Sequence, residues 1–144
     1  MHLCNKDVSG FMSVGKSQES RDSKNSYNNP GFWNAIDSLI QQSQVIIDRP
    51  KGTRHPRYQT ILYPLDYGYL ADTAAMDGHG IDIWRGTIVP AGVVAVICTV
   101  DLLKKDSEMK ILLGCTPEEA AIVYRFHNNS DFMKGILIIR PGEA

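Results

Sequence analysis

The stretch that decides the fold is "GVVAVICTVDLLKKDSEMKILLGC", residues 92–115, in which two apolar runs flank a short charged segment. Both runs are rich in β-branched residues, which favour strands. Similar short runs occur at "VII" (45–47), "TILY" (60–63), "IDIW" (81–84) and "GILIIRP" (135–141). Most connections between them are too short for the helix that a parallel crossover requires. The pattern therefore predicts a small, curved, mainly antiparallel sheet or barrel.

Two segments carry helix signals instead. In "FWNAIDSLIQQSQ" (32–44), apolar residues recur at spacings of three and four, which predicts an amphipathic helix (Phe32, Ile36, Leu39 and Ile40). In "TPEEAAIVYRFHNN" (116–129), Thr116 can cap a helix, Pro117 suits its first position and Glu119 completes a capping box. The predicted fold class is α+β: a small, mainly antiparallel β-barrel with one helix before it and one late helix.

Composition limits the size and the partners of this fold. The chain has 144 residues, 43% of them apolar, which is enough for one core. The first 31 residues are rich in Ser, Asn, Lys and Gly without apolar periodicity, so we expect residues 1–31 to be a disordered extension and residues 32–144 to be the single domain. Fifteen Lys+Arg against 16 Asp+Glu give a net charge of -1, which argues against binding to nucleic acid or an acidic membrane. No apolar run is long enough for a membrane span, so we expect a cytoplasmic protein.

A first acidic element is "MDGHGID", residues 76–82. Gly78 and Gly80 allow a tight turn around His79, so that Asp77 and Asp82 can converge on one point. Two close carboxylates repel unless a proton or a cation lies between them, and Mg²⁺ prefers oxygen ligands. The alternative is a hairpin turn whose aspartates bind turn backbone. This stretch alone leaves both interpretations open.

A second acidic element is "KKDSEMKILLG", residues 104–114. Strand alternation places Asp106, Glu108 and Lys110 on one face and the apolar side chains on the other (Met109, Ile111 and Leu113). The apolar face is predicted to join the core. The polar face suits either a metal and a phosphate or ordinary solvation.

A third element, "IIDRPKGTRHPRYQTILYPLDYGYL" (46–70), crowds basic side chains into a short stretch (Arg49, Lys51, Arg54, His55 and Arg57). Neighbouring cations repel one another unless they are solvated or bind an anion, and tyrosine hydroxyls can add hydrogen bonds to a phosphate (Tyr63, Tyr67 and Tyr69). The stretch predicts a phosphate site, with a solvated basic loop and core tyrosines as the alternative. Together, the acidic and basic elements indicate metal-assisted phosphoryl chemistry.

The sequence also resembles a known family. "YPLDYGYL" followed by "DGHGID" is similar to the tyrosine-rich strand and the acidic signature D-G-D-x-x-D of soluble Mg²⁺-dependent inorganic pyrophosphatases, which have a small β-barrel core. The acid in "IIDRP", the basic residue in "PRY" and the pair in "SEMK" are also similar, so that the resemblance spans roughly residues 45–110.

The resemblance implies a set of site residues. It implies metal ligation at the first acidic element, with further acids approaching the metal (Asp77 and Asp82; Asp48, Glu108 and Asp106). It implies phosphate binding by basic and phenolic side chains (Arg57, Lys110, Tyr63 and Tyr67). Because the stretch before Tyr63 is shorter than in the family, one phosphate contact is expected to be either missing or supplied by Lys51 or Arg54.

The predicted roles of two histidines, His79 and His127, differ. His79 takes the place of the family's middle aspartate, which helps to activate the attacking water. A neutral imidazole can accept a proton and favours softer ions such as Mn²⁺ or Zn²⁺; the alternative is a histidine that points to solvent. His127 is expected to make a helix-terminal contact rather than to belong to the site.

The predicted function is hydrolysis of inorganic pyrophosphate by metal-activated water, with Asp77, His79 and Asp82 as the catalytic group. The expected cofactor is Mg²⁺, with Mn²⁺ or Zn²⁺ as alternatives, and the expected partner is a small phosphate substrate. Two alternatives stay open: another metal-dependent phosphohydrolase on the same fold, and a catalytically impaired relative that only binds phosphate and metal. A homo-oligomer also stays open.

Overall fold

The computed structural model describes residues 26–75 and 78–142. In this part of the chain, two helices and six strands follow one another: α1 (Pro30–Gln41), β1 (Val45–Arg49), β2 (Asp66–Leu70), β3 (Asp82–Arg85), β4 (Val93–Asp101), β5 (Asp106–Leu113), α2 (Pro117–Phe126) and β6 (Met133–Ile139). Most of the expected N-terminal extension, residues 1–31, lies outside the described residues, and α1 already begins at Pro30. Neither described helix is long and apolar enough to cross a membrane.

The six strands form one sheet in the order β1-β2-β3-β5-β4-β6. All neighbours are antiparallel except β3 and β5, which are parallel because β5 inserts between β3 and β4. The α+β class and the mainly antiparallel sheet are therefore confirmed. The expected barrel is not closed among the described strands, since β1 and β6 form opposite edges.

A side chain already occupies part of the β6 edge. The Asn128 side chain donates from Nδ2 to the Gly135 carbonyl at 3.1 Å and accepts from the Gly135 N–H at 3.0 Å. These are backbone groups that another strand would use. At the other edge, β1 carries a register shift between Ile47 and Arg49 that interrupts regular pairing. Both features favour an open sheet.

The predicted strand at "TILY" is wrong. Residues 52–63 fold back on themselves: the Gly52 N–H donates to the Tyr63 carbonyl and the Tyr63 N–H donates to the Thr53 carbonyl. Only an isolated bridge between Arg54 and Leu62 remains. The strand that joins the sheet comes later, at Asp66–Leu70.

Both faces of the sheet are covered by apolar packing. On one face, side chains of β3, β4 and β5 pack with those of α2 (Trp84, Ala95, Ile97 and Leu112 with Ala120 and Val123). On the other, they pack with α1 (Ile83, Val96, Ile111 and Leu113 with Trp33 and Ile36). The predicted apolar face of β5 is confirmed, since Met109 also packs there. The buried face of α1 differs from the predicted apolar face in one residue: Trp33 is buried, whereas Phe32 is 40% exposed.

Helix α2 begins as its sequence predicts. Thr116 Oγ1 accepts from the Glu119 N–H at 3.1 Å, and Glu119 Oε1 accepts from the Thr116 N–H at 3.0 Å. Glu119 Oε1 also accepts from the N–H and the hydroxyl of Thr87, at 3.2 and 3.1 Å. Glu119 therefore also holds the β3–β4 connection against α2.

Candidate functional site

Strand pairing brings polar residues from β2, β3 and β5 together on the α2 face. Tyr69 lies opposite Asp82 in the β2–β3 register, which places Tyr67 on the same face two residues along. The β3–β5 register pairs Ile83 with Ile111, so that Asp82 lies beside Lys110. Alternation along β5 then adds Glu108. We call Tyr67, Asp82, Glu108 and Lys110 the Lys110 cluster.

The ammonium group of Lys110 is the centre of this cluster. Its Nζ donates to Asp82 Oδ2 at 2.8 Å, to Glu108 Oε2 at 2.6 Å and to the Tyr67 hydroxyl at 3.1 Å. The Tyr67 hydroxyl in turn donates to Asp82 Oδ2 at 2.5 Å. Two carboxylates, one phenol and one ammonium thus form a closed hydrogen-bonded network.

Burial and charge fix the protonation states of the cluster. Lys110 is only 4% exposed. Burial disfavours its charged form, but the oxygens of Tyr67, Asp82 and Glu108 outweigh burial and raise the pKa of Lys110 above its ordinary value. Burial, together with the Asp82 charge, raises the pKa of the Tyr67 hydroxyl. At neutral pH the cluster therefore holds an ammonium and a neutral phenol.

Aromatic side chains pack beside the cluster. The Trp84 ring packs edge-on to Tyr67 with ring centroids 4.7 Å apart, and Trp84 Nε1–H donates to Nε2 of His127 at 3.0 Å. Burial, aided by the Lys110 charge, lowers the pKa of His127 to about 3. As expected, His127 is the C-cap residue of α2, and its neutral ring completes the aromatic packing.

A cation adjoins the cluster on its β1 side. Arg49 lies opposite Tyr67 in the β1–β2 register, and its Nη1 donates to the Tyr63 hydroxyl at 3.0 Å. The Tyr63 ring is buried, and its centroid lies 5.4 Å from that of Tyr67. Arg49 belongs to the basic residues that the sequence groups together, but the sequence did not single it out for phosphate binding. Its position at the end of "VIIDR" was the available signal that it lies at the end of a strand.

The other basic residues predicted for phosphate binding lie in the exposed segment between β1 and β2. Lys51 donates its backbone N–H to Asp66 Oδ1 at 2.9 Å, and Arg54 Nη1 donates to the Gln59 carbonyl at 2.9 Å. Arg57 is exposed and donates its backbone N–H to Nδ1 of His55. No hydrogen bond found among the described residues joins these three side chains to the Lys110 cluster. Asp66 also pairs with Arg85 Nη2 at 3.1 Å, an ion pair that the sequence did not indicate.

The predicted metal ligands are only partly brought together. Asp82 and Glu108 share the Lys110 ammonium. Asp48 is exposed at the register shift of β1, and Asp106 lies opposite Asp101 at the β4–β5 hairpin. Asp77 lies outside the described residues. Within residues 26–75 and 78–142, no three His, Cys, Asp or Glu side chains form a group that could hold a metal ion.

The turn before β3 has the geometry that its glycines predict. Gly78 has φ +82°, and a Cβ on Gly80 would lie 2.7 Å from the Leu70 carbonyl oxygen, so both positions favour glycine. His79 between them is exposed, and its carbonyl accepts from the Ala75 N–H at 2.7 Å. The catalytic role of His79 remains a prediction.

The donor chemistry of the cluster fits a cation. Two carboxylates already converge on one buried positive charge, and both can ligate a hard divalent ion. The Lys110 ammonium now takes that position. The ammonium engages one oxygen of each carboxylate, Asp82 Oδ2 and Glu108 Oε2.

Solved structures with a similar fold include inorganic pyrophosphatases. One from Neisseria gonorrhoeae matches with a TM-score of 0.50 and 17% identity, over 62% of this chain and 77% of that chain. One from Helicobacter pylori matches with a TM-score of 0.49 and 14% identity, over 66% of this chain and 81% of that chain. No protein-family model matches the sequence, and no curated protein matches it significantly. The likeness to the Neisseria structure establishes a pyrophosphatase-like fold.

Proposed function

We propose that this protein hydrolyses inorganic pyrophosphate to two phosphates with the help of a divalent metal ion. The observation that carries the proposal is the Lys110 cluster itself, in which two carboxylates, an ammonium and a phenol converge on one sheet face. Arg49 and Tyr63 adjoin it, so that anion-binding and cation-binding groups lie side by side. The pyrophosphatase-like fold supports the same assignment.

Each group then has a role that follows from its charge. Asp82 and Glu108 would hold the metal ion, with Asp77 as a further ligand candidate from the adjoining turn. Lys110 and Arg49 would neutralise phosphate oxygens, and Tyr67, whose hydroxyl donates to Asp82 Oδ2, would hold that carboxylate in place. A bound divalent ion lowers the pKa of water and stabilises charge on phosphate oxygens.

The exposed basic segment suits a small anionic substrate. Lys51, Arg54 and Arg57 are exposed residues of the segment that follows Arg49, and their positive charges can attract a phosphate as it arrives. His79 is also exposed and could accept a proton from the attacking water.

The experiment that tests this function is phosphate release from pyrophosphate, compared with Mg²⁺, Mn²⁺ and Zn²⁺. Asp82→Asn removes a charge from the cluster and is expected to lower kcat by about 100-fold or more, as loss of one preorganised electrostatic group does. Asp131→Asn, which changes an exposed aspartate before β6, is the matched control and should leave kcat unchanged. Release that is equal in the two variants would refute the assignment.

A binding protein without turnover is the second candidate. The observation that favours it is the Lys110 ammonium, which fills the position between the two carboxylates. In that case pyrophosphate binds to the folded protein, a divalent ion does not displace Lys110, and no phosphate appears. Release from other phosphate compounds, but not from pyrophosphate, would instead indicate a different phosphohydrolase.

A further inference from the structure

All three N–H donors of the Lys110 ammonium are already used. An ammonium has three donors, and here they bind Asp82 Oδ2, Glu108 Oε2 and the Tyr67 hydroxyl. Lys110 therefore has no donor left for a phosphate oxygen. The same contacts occupy one oxygen of each carboxylate, Asp82 Oδ2 and Glu108 Oε2.

Charge opposes the simultaneous binding of the Lys110 ammonium and a divalent ion at Asp82 Oδ2 and Glu108 Oε2. The carboxylates of Asp82 and Glu108 balance one buried ammonium with one negative charge to spare. A divalent ion bound to the same oxygens would lie within a few ångströms of the ammonium, and like charges at that distance repel strongly where water is scarce. A divalent ion that takes these two oxygens therefore competes with the ammonium for them.

Lys110 can move without unfolding its strand. Its ammonium ends a flexible four-carbon stem, and its Nζ lies 5.6 Å from the centroid of the Tyr67 ring. Arg49 lies on the far side of Tyr67, in register with it on β1. A displaced ammonium can thus turn toward Tyr67 and Arg49, where the cations face an anion together.

We propose that Lys110 is an exchangeable internal cation: a divalent ion displaces its ammonium from Asp82 and Glu108, and the released ammonium then binds phosphate. This inference rests on the proposed function and adds a mode of regulation to the same site. Metal binding thereby prepares the anion site, and the protein without metal keeps Lys110 withdrawn from phosphate.

The first test measures Mn²⁺ binding by calorimetry, without any phosphate compound. Lys110→Met removes the competing charge and should bind Mn²⁺ about ten- to hundredfold more tightly than the wild type. Lys134→Met, which changes an exposed lysine on β6, is the control and should match the wild type. Equal or weaker Mn²⁺ binding by Lys110→Met would overturn the exchange, since it would mean that Lys110 merely holds the carboxylates in place.

Folding is monitored by circular dichroism, because Lys110→Met leaves two partly buried carboxylates facing each other. If it does not fold without metal, Lys110→Gln carries the same comparison, since its amide can still donate to a carboxylate. If neither folds alone, both should fold on addition of Mn²⁺ at concentrations below the wild-type Kd. Failure to fold under those conditions refutes the proposal.

The second test measures binding of inorganic phosphate. Without metal, the wild type should bind phosphate at most a few-fold more tightly than Lys110→Met, because the ammonium donors are engaged elsewhere and only the unbalanced charge of the carboxylates differs. With saturating Mn²⁺, the wild type should bind phosphate about tenfold more tightly than Lys110→Met, as loss of one charge-assisted contact predicts. A tenfold difference already present without metal would contradict the exchange.

The outcomes separate this inference from the proposed function. Pyrophosphate hydrolysis by the wild type, without tighter Mn²⁺ binding by Lys110→Met, refutes the exchange and leaves the function. Tighter Mn²⁺ binding without any hydrolysis supports the exchange and overturns the function. If neither the wild type nor Lys110→Met binds Mn²⁺, the exchange and the metal-dependent function both fail.

Discussion

Substitution of His127 by glutamine should change how the stability of this protein depends on pH. The His127 ring is 4% exposed, its Nε2 accepts from Trp84 Nε1–H at 3.0 Å, and its Nδ1 lies 3.3 Å from Met133 Sδ. Because Nε2 accepts a hydrogen bond, the hydrogen-bond network assigns the proton to Nδ1. A second proton would break the bond to Trp84 and charge a buried ring.

The magnitude follows from the two pKa values. Burial, aided by the Lys110 charge, lowers the pKa of His127 from 6.5 to about 3 in the folded protein. Below pH 6.5 the unfolded chain therefore binds a proton that the folded protein refuses, so stability falls as the pH falls. Between pH 7 and pH 5 this linkage lowers the free energy of unfolding by about 2 kcal/mol.

The assay is urea denaturation of the wild type and His127→Gln, followed by tryptophan fluorescence at pH 7, 6 and 5. Glutamine can accept the Trp84 hydrogen bond and does not titrate. We expect His127→Gln to be less stable at pH 7 by about 1 to 2 kcal/mol from lost packing, and this deficit to vanish by pH 5. Other titrating groups cancel in the difference between the two proteins. Parallel loss of stability in both would refute a buried, neutral His127.

Two further predictions concern the cluster and its support. Tyr67→Phe keeps the ring but removes the hydroxyl between the carboxylate and the ammonium, and should lower the free energy of unfolding in urea by about 1.5 to 3 kcal/mol. Tyr124→Phe, at an exposed position, should change it by less than about 0.5 kcal/mol, and equal effects of the two would contradict the hydrogen bonds. Glu119→Ala removes the capping-box acceptor of the Thr116 N–H and the acceptor for Thr87, and should lower the free energy of unfolding by about 2 to 3 kcal/mol. The exposed Glu118→Ala should cost less than about 1 kcal/mol, and thermal denaturation that ranks the two in reverse order would contradict this role of Glu119.

The elements with local signals were predictable from the sequence. The capping box of α2 depends on residues three apart, and the apolar face of β5 depends on alternation within one strand. The conformation of "TILY" was not predictable in this way. Its backbone pairs within the 52–63 segment, and the strand that joins the sheet is Asp66–Leu70 instead. Tertiary pairing there overrode the local preference of β-branched and aromatic residues.

The candidate site was also predictable only where the signal is local in sequence. Sequence reasoning placed Glu108 and Lys110 on one face of one strand, and selected Tyr67 and Asp82 from a motif. It did not select Arg49, which reaches the site only through the β1–β2 register. Nor did it predict that Lys110 would bind both carboxylates, because this depends on the parallel pairing of β3 with β5.

The sequence by itself determined the α+β class, the start of α2 and the types of charged group available for chemistry. These depend on short-range periodicity and capping, which act within a few residues. Only the tertiary structure decided that the sheet stays open and that a buried ammonium holds the two carboxylates. Those outcomes depend on which strands become neighbours, and strand order is set by the packing of both sheet faces against α1 and α2 rather than by any local pattern.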